Sequence, residues 1–179
     1  FEQMEPTIAT IHETLGEIVF GGEDEELEHA VVRELKRKNV RLAIADAGTG
    51  GLIAELLDDV PEAEAYLAGA VVTKNARAMR ALLEIDEALV EQEGWMSERL
   101  VRAMAEACRE RLGCDYALAV IDLPAEAQQG EKPRSLFALA GAGETIVRSG
   151  PHVGGASLRR IRCAKQAMNL VRLALLRGD

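Results

Sequence analysis

Three features of the sequence predict an α/β fold, a three-layer α/β/α sandwich with a mixed, mostly parallel sheet. Apolar segments of strand length alternate with segments of helical periodicity along most of the 179 residues. Residues 116–121 read Tyr-Ala-Leu-Ala-Val-Ile without polar alternation, which is typical of a strand covered on both faces. A short glycine turn at 141–143 joins two extended segments, which predicts a late hairpin and therefore some antiparallel pairing.

The individual elements follow from periodicity and from breaking residues. Residues 1–22 are predicted to form an arm or linker that docks on a domain spanning 23–179. Helices are predicted over 24–39, 49–58, 75–83, 86–92 and 97–112, and after the glycines at 154–155. Strands are predicted over 40–45, 65–73, 115–123, 134–140 and 144–149, with a polar loop at 124–133. The predicted helix caps are Asp24 and Ser97, and the predicted inward residues include Met79, Leu82, Leu83, Ile161, Ala164, Met168, Val171 and Leu175.

Composition restricts the classes of binding partner and the cellular compartment that the sequence suggests. The net charge of −9 disfavours a nucleic-acid partner, because phosphate neutralisation needs a basic face. No segment is long and apolar enough to span a bilayer, and no signal peptide is recognisable. The cysteines form an odd, widely spaced set typical of reduced thiols in a cytoplasmic protein (Cys108, Cys114, Cys163). The histidines stand too far apart in the sequence to suggest a metal site (His12, His29, His152).

The most informative stretch runs from Leu42 to Ile53. A predicted strand leads into the small-residue turn Ala-Gly-Thr-Gly-Gly at 47–51, and a helical pattern follows. Backbone N–H groups at such a helix N-terminus bind anions, and ligands of open α/β sheets lie beyond the carboxyl ends of strands. The sequence therefore predicts a binding pocket at this turn.

Several spaced motifs resemble the C-terminal domain of CinA, the competence/damage-inducible protein. Residues 45–51 read Ala-Asp-Ala-Gly-Thr-Gly-Gly where the family has Ala-Glu-Ser-Cys-Thr-Gly-Gly. Residues 60–66 follow the family's Val-Pro-Gly-Ala-Ser-Ala-Tyr, and residues 69–73 follow its Gly-Gly-Val-Val-Thr. Further similar segments lie at 93–97, 103–106 and 131–133. The resemblance covers residues 23 to about 176 and implies the family's fold for that region.

The same resemblance bears on chemistry. The family is that of the nicotinamide-nucleotide (NMN) amidohydrolases, or NMN deamidases, described as serine hydrolases with a Ser/Lys arrangement. Such chemistry needs a hydroxyl nucleophile, a base and N–H donors for the oxyanion. The family's serine, tyrosine, lysine base and threonine fall here on Ala47, Lys74, Met79 and Ile121. A family arginine at the start of the last helix falls near Leu158, with Arg159 and Arg160 as alternatives, and its glycine-rich loop falls on 124–128.

These substitutions leave three interpretations. The first is a non-catalytic module that binds a phosphorylated nucleotide or serves in assembly, with no cofactor. Its predicted ligand-binding residues are Asp46, Gly48, Thr49, Gly50, Gly51, Lys74 and Asp122, although Asp46 and Lys74 are equally well explained by an ion pair. The second is an active amidohydrolase of the pyridine nucleotide cycle with a rearranged site, in which Thr49 supplies the hydroxyl and Lys74 the base. The third is a structural domain of a longer two-domain CinA protein.

Two expectations concern assembly, and one concerns repair of the site. Residues 15–21 resemble the segment that joins this domain to an upstream domain in long CinA proteins, and a stand-alone chain is the alternative. Apolar stripes on two long helices fit a helix-mediated homodimer. Substituting Ala47→Ser and Met79→Lys together is expected to preserve folding without restoring activity.

Overall fold

The computed structural model describes residues 5–22, 24–124, 133–152 and 154–178. Its α-helices are Glu5–Leu15 (α1), Leu27–Lys38 (α2), Leu52–Asp58 (α3), Ala76–Leu83 (α4), Glu87–Glu93 (α5), Glu98–Leu112 (α6) and Ala156–Arg177 (α7). Its strands are Leu42–Ala47 (β1), Leu67–Val72 (β2), Tyr116–Ile121 (β3), Arg134–Ala140 (β4) and Ile146–Pro151 (β5). Short 3₁₀ turns occupy Gly16–Ile18 and Ala63–Ala65. Most of the loop predicted at 124–133 lies outside the described residues.

The five strands form one mixed sheet in the order β2-β1-β3-β4-β5. Strand β1 is central and pairs in parallel with β2 and with β3, so that Ala47 lies opposite Ile121. Strands β4 and β5 continue the sheet antiparallel, as the glycine turn predicted. The carboxyl ends of the three parallel strands therefore meet at one edge, where ligands of such sheets bind.

Helices cover the sheet on both faces, which confirms the predicted three-layer sandwich. Helices α2, α3 and α7 pack on the face that carries Leu42, Ile44 and Leu118. Helices α4, α5 and α6 pack on the other face, which is lined mainly by alanine. The predicted double coverage of β3 follows, because residues 117–121 are fully buried.

The helix ends show where local sequence decides structure. Ser97 caps α6 by accepting hydrogen bonds from the N–H groups of Arg99 and Leu100. The prediction that Asp24 caps α2 is wrong, because the N-cap is Glu26. Glu26 and His29 form a reciprocal capping box, which satisfies two orphan backbone donors at once.

Two residues predicted to face the core are exposed instead. Leu82 is 47% exposed at the end of α4, and Ile161 is 39% exposed on the first turns of α7. Met79 and Leu83 are buried on α4, and Ala164, Met168, Val171 and Leu175 are buried on α7. The apolar stripe that α4 and α7 bury is therefore narrower than the periodicity suggested.

The segment after α1 contacts the C-terminal half of α7. The buried guanidinium of Arg172 donates to the carbonyl oxygen of Glu17 at 2.5 Å and lies 5.9 Å from the centre of the Phe20 ring. Arg177 donates to the Glu17 carboxylate at 2.6 Å, and this hydrogen bond lowers the pKa of that exposed carboxyl. These contacts agree with a docked arm, although the domain boundary at residues 22–23 stays a prediction.

All three cysteines are free thiols, and the structure predicts their order of reactivity. Burial raises the pKa values of Cys108 and Cys163 to about 12, and it also raises the pKa of the half-buried Cys114. A disulfide exchange reagent at pH 8 attacks the thiolate. We expect Cys114 to react first and the other two only on unfolding, as followed by thionitrobenzoate release. Cys114→Ser should remove the first phase, and three fast thiols in native protein would contradict the structure.

Candidate binding cleft

The backbone of the turn after β1 is hydrogen-bonded to the side-chain carboxylate of Asp46. Asp46 Oδ1 accepts from the backbone N–H groups of Gly48 at 2.9 Å and Thr49 at 2.7 Å. Its Oδ2 accepts from the N–H of Gly51 at 2.6 Å and from the Thr49 hydroxyl. Charge-assisted bonds of this kind are the strong ones in proteins. The anion that the sequence predicted at this turn is thus supplied by Asp46.

This geometry corrects the predicted roles of several turn residues. Asp46 and Thr49 are fully buried, and neither is among the residues that line the cleft beside the turn. Asp46 is bonded to the turn rather than to Lys74, so the alternative of an ion pair between them also fails. Gly50 and Gly51 adopt φ angles of +75° and +94°, and they shape the turn without lining the cleft beside it.

The two groups of the suggested rearranged catalytic site, Thr49 and Lys74, lie in different surroundings. The Thr49 hydroxyl donates to a buried carboxylate and has no exposed surface for a substrate to approach. Lys74 is exposed, and its Nζ lies 3.7 Å from the position that a Cβ atom of Gly50 would occupy. The two groups therefore face different environments.

Gly48 approaches the end of β3 too closely to carry a side chain. A Cβ atom at this position would lie 2.4 Å from Asp122 N and 2.5 Å from Asp122 Cβ. The family motif has cysteine where this chain has Gly48, and glycine where it has Asp122. Two of the three atoms that such a Cβ would meet, Asp122 N and Cα, belong to the backbone, so the close approach is one of main chain to main chain.

A cleft of about 920 Å³ opens at the carboxyl ends of the parallel strands. Four of the predicted site positions line it, namely Ala47, Gly48, Lys74 and Asp122. The cleft also takes in Thr73, Asn75, Glu93, Gly94, Trp95, Met96, Leu123, Pro124, Arg134 and Arg159. A volume of this size is typical of small-molecule sites.

A buried polar cluster lies at the inner wall of the cleft. The Asp122 carboxylate has no exposed surface and accepts from the Ser135 hydroxyl at 2.7 Å. Its Oδ1 also lies 2.8 Å from His152 Nε2, and its Oδ2 lies 3.2 Å from Arg159 Nε. Arg159 donates in addition to the carbonyl oxygen of Leu123. A buried carboxylate without partners would be energetically costly. Here the Arg159 guanidinium, the Ser135 hydroxyl and the His152 ring surround the Asp122 carboxylate and compensate its charge.

The cluster includes one of the candidates at the start of α7, and Arg160, another of them, is exposed and does not line the cleft. Of the three candidates for the family's arginine position, Arg159 lines the cleft, whereas Leu158 is an exposed apolar residue beside Gly154. Sequence reasoning missed Ser135 and His152, because they lie on β4 and just after β5, far from Asp122 along the chain. No local spacing could have indicated their contact.

The four positions on which the motif resemblance places the family's catalytic residues separate into two groups. Ala47 and Lys74 line the cleft. Met79 and Ile121 are fully buried in the hydrophobic cluster between the sheet and α6. At the point where the motif places a serine, the cleft wall carries the methyl group of Ala47.

Two further cleft residues, Trp95 and Thr73, lie in segments that resemble the family but were not predicted as site residues. Trp95, the single tryptophan of the sequence, follows the glycine that ends α5 and offers a flat apolar surface. Thr73 is buried at the end of β2, and its hydroxyl has no hydrogen-bond partner among the described residues. A ligand atom in the cleft would satisfy that hydroxyl.

Comparison with known proteins decides the family. Residues 24–175 match the model of the CinA C-terminal domain. The chain belongs to this family. A CinA-like protein of Frankia casuarinae is 36% identical over 172 residues, which cover 95% of this chain and 40% of the relative. A CinA-like protein of Gloeobacter violaceus is 34% identical over 180 residues, which cover 97% of this chain and 42% of the relative.

Solved structures confirm the fold of this CinA C-terminal domain. A CinA superfamily protein from Klebsiella pneumoniae superposes with a TM-score of 0.79 at 23% identity, covering 84% of this chain and 96% of that one. A competence/damage-inducible protein from Agrobacterium tumefaciens gives a TM-score of 0.78 at 23% identity, covering 88% of this chain and 98% of that one. At such identities the likeness concerns the fold alone. The chain spans about two fifths of the length of the curated relatives it matches.

Within 5–22, 24–124, 133–152 and 154–178, no group of three or more His, Cys, Asp or Glu residues lies close enough to hold a metal ion. Among the helices of the same residues, none has the length and apolarity needed to cross a membrane.

Proposed function

We propose that this CinA C-terminal domain is a non-catalytic module that binds a phosphorylated nucleotide in the cleft at the strand ends. The observation that carries the proposal is the chemistry of the cleft wall. A methyl group, that of Ala47, stands where the family motif has a serine, while the cationic groups needed to hold a phosphate are present. Binding without acyl transfer is the function that such a wall supports.

The charges of the cleft favour an anionic ligand despite the acidic chain. Lys74, Arg134 and Arg159 line it, against Glu93 and Asp122. Glu93 pairs with Arg99 and Asp122 with Arg159, so both carboxylates are compensated. Lys74 has no ion-pair partner among the described residues, which leaves its ammonium group free for a phosphate.

The rest of the cleft suits the remainder of a nucleotide. The ring of Trp95 provides a stacking surface for a planar base, and stacking on an aromatic side chain does not depend on the identity of the base. The hydroxyl of Thr73 and the amide of Asn75 provide hydrogen-bonding groups for a sugar. Pyridine mononucleotides are the first ligands to test, because the family acts on them.

One pair of assays distinguishes the three interpretations. The purified chain is incubated with NMN, and released ammonia is measured beside a serine-containing relative as positive control. Binding of NMN and nicotinate mononucleotide is measured by calorimetry. Binding without ammonia supports the proposal, and turnover near that of the control establishes an active enzyme instead.

If the chain neither releases ammonia from NMN nor binds either mononucleotide, the structural alternative is favoured. One observation is compatible with that alternative, because the chain spans only about two fifths of the length of its curated relatives. The relatives are longer than this chain, and we propose that an upstream domain exists which this domain would support. Residence in the cytoplasm, from the thiol content of the sequence, also stays a prediction.

The cleft makes a specific prediction for affinity. Lys74→Ala should raise the dissociation constant of NMN about tenfold, or about 1.4 kcal/mol, because the phosphate loses its unpaired cation. Arg77→Ala is the matched control, since Arg77 is an exposed cation on α4 outside the cleft. Equal affinities of the Lys74→Ala variant and the parent chain, measured by calorimetry, would remove Lys74 from the site.

A further inference from the structure

The cleft carries cationic side chains on both sides of Ala47. Strand β1, which ends at Ala47, lies between β2 and β3 in the sheet, and β4 follows β3. Lys74 lies two residues beyond Val72, the last residue of β2, and Arg134 is the first residue of β4. Neighbouring strands lie about 4.8 Å apart, so three strand spacings, or roughly 14 Å, separate the backbones of these two cationic residues across the sheet.

Both cationic residues lie at the same edge of the sheet. The N–H of Thr73 donates to the carbonyl oxygen of Asp46 at 2.8 Å, which holds the residue before Lys74 beside the end of β1. Strand β4 runs antiparallel to β3, so its first residue, Arg134, lies where β3 ends. Lys74 and Arg134 both line the cleft. The cleft therefore has one cationic end on each side of β1.

The end beyond β3 carries more positive than negative charge. In the part of the cleft wall that the structure describes, the guanidinium groups of Arg134 and Arg159 lie at this end with one carboxylate, that of Asp122. The Asp122 side chain has no exposed surface, and its Oδ2 lies 3.2 Å from Arg159 Nε, so its charge is compensated inside the wall. One guanidinium charge remains in excess even when His152 is counted as neutral. A charge beside such buried groups attracts an anion more strongly than it would in water.

The two ends differ in the geometry of their cations. Lys74 is exposed and presents a compact ammonium group, a point charge that binds phosphate from any direction. Arg134 presents a planar guanidinium, whose paired N–H groups match the two oxygens of a planar carboxylate. The remaining carboxylate of the described wall, that of Glu93, is paired with Arg99 and opposes neither end. Each end therefore suits an anionic group of its own.

We infer that the cleft selects a mononucleotide with two anionic groups, a phosphate bound at Lys74 and a carboxylate on the base bound at Arg134. This inference rests on the proposed function and names the class of ligand. A mononucleotide carries its phosphate and its base substituent at opposite ends, with the ribose and the ring between them. A diphosphate carries its charges on adjacent groups and would meet one end only. Ala47 lies between the two ends and offers a methyl group, which suits the uncharged middle of such a ligand.

Two ligands that differ in a single group test the preference. Nicotinate mononucleotide carries a carboxylate where NMN carries a neutral amide, and both carry the same phosphate. Calorimetry on the parent chain at one ionic strength should give a dissociation constant about tenfold lower for nicotinate mononucleotide, because a carboxylate makes charge-assisted hydrogen bonds to a guanidinium. Equal affinities, or tighter binding of NMN, would overturn the inference and leave the proposed function standing. If neither ligand binds, the proposed function and the inference both fail.

Variants of the two ends show which cation binds which group. Arg134→Gln should weaken nicotinate mononucleotide about tenfold and NMN by less, so that the ratio of their dissociation constants approaches one. Lys74→Ala should weaken both ligands alike and preserve the ratio, because both carry the phosphate. Arg148→Gln, an exposed cation on β5 outside the cleft, is the matched control and should change neither constant.

Two results would contradict the assignment of the carboxylate to Arg134. One is a preference that survives Arg134→Gln, and the other is a preference that Lys74→Ala abolishes. Thermal unfolding verifies that the Arg134→Gln variant is folded. If it is not, Arg134→Lys takes its place, since this variant keeps the charge without the planar fork and should reduce the preference by a smaller factor. An undiminished preference in Arg134→Lys would then overturn the assignment.

Discussion

Met79→Lys should lower the free energy of unfolding by about 3–5 kcal/mol at neutral pH. Met79 is fully buried between α4 and the alanine-lined face of the sheet, in the same cluster as Ala47. An ammonium group there loses its hydration among apolar side chains. The sequence alone suggested that Ala47→Ser and Met79→Lys together would leave folding undisturbed, and the burial of Met79 overturns that expectation.

The pH dependence of the loss gives a second measurement. Burial favours the neutral amine, so the pKa of the introduced lysine falls below its unfolded value of about 10.4. The unfolded chain then binds more protons than the folded one, and the stability of the variant rises with pH relative to the parent. Urea denaturation at pH 7 and pH 10 should show the gap narrowing.

Met79→Leu is the control for volume and should cost less than about 1.5 kcal/mol, because it conserves size and apolarity. A lysine variant as stable as the leucine variant at pH 7 would show that the new amine reaches solvent or the cleft. In that case the ammonia assay becomes decisive, since a base near the Ala47→Ser hydroxyl would restore the missing pair. We expect no turnover, because Lys74 and Ile121 still occupy the family's tyrosine and threonine positions.

Asp46→Asn should destabilise the domain by about 3 kcal/mol or more. The fully buried carboxylate accepts four hydrogen bonds from the turn, given by Gly48, Thr49 and Gly51. The amide that replaces it turns one acceptor oxygen into a donor that faces other donors. Buried N–H groups of the turn then lose their partner at nearly unchanged shape, and chemical denaturation measures the result.

Asp115→Asn is the matched control. Asp115 also accepts from a backbone N–H, that of Arg41 at 2.8 Å, but it is exposed and water can replace it. Its substitution should cost about 1 kcal/mol or less. If both variants lose the same amount, the turn is not organised around the buried carboxylate.

Asp46 and Met79 contribute to different parts of the site. The Asp46 hydrogen bonds shape the backbone of the turn and close its N–H groups to external anions. The packing of Met79 excludes charge from the layer beneath the cleft. What remains accessible is a wall of methyl, ammonium and aromatic groups, from Ala47, Lys74 and Trp95.

Much of the fold could be predicted from local patterns. Strand β3 was recognisable from its unbroken apolar run, α6 from Ser97, Gly113 and its stripe, and the hairpin from its glycine turn. These signals are local because backbone propensity, capping and turn chemistry act over a few residues. Errors occurred at Asp24, Leu82 and Ile161, where neighbouring elements decide which residues are covered.

The candidate site could be predicted only in part. The sequence placed Ala47, Gly48, Lys74 and Asp122 at the cleft, because each follows directly from a strand end. The sequence also predicted Asp46 and Thr49 as ligand-binding residues, because only their spacing from the glycine turn was known and their burial was not. Their burial is visible only in three dimensions.

What the sequence determined by itself is the order of strands and helices, the family, and the absence of a hydroxyl at Ala47, because each depends on residue identity and short-range spacing. Only the tertiary structure decided that Asp46 satisfies its own turn and that Asp122 meets Ser135, His152 and Arg159. Those contacts join residues distant along the chain, and their energies depend on how water is excluded when the layers pack.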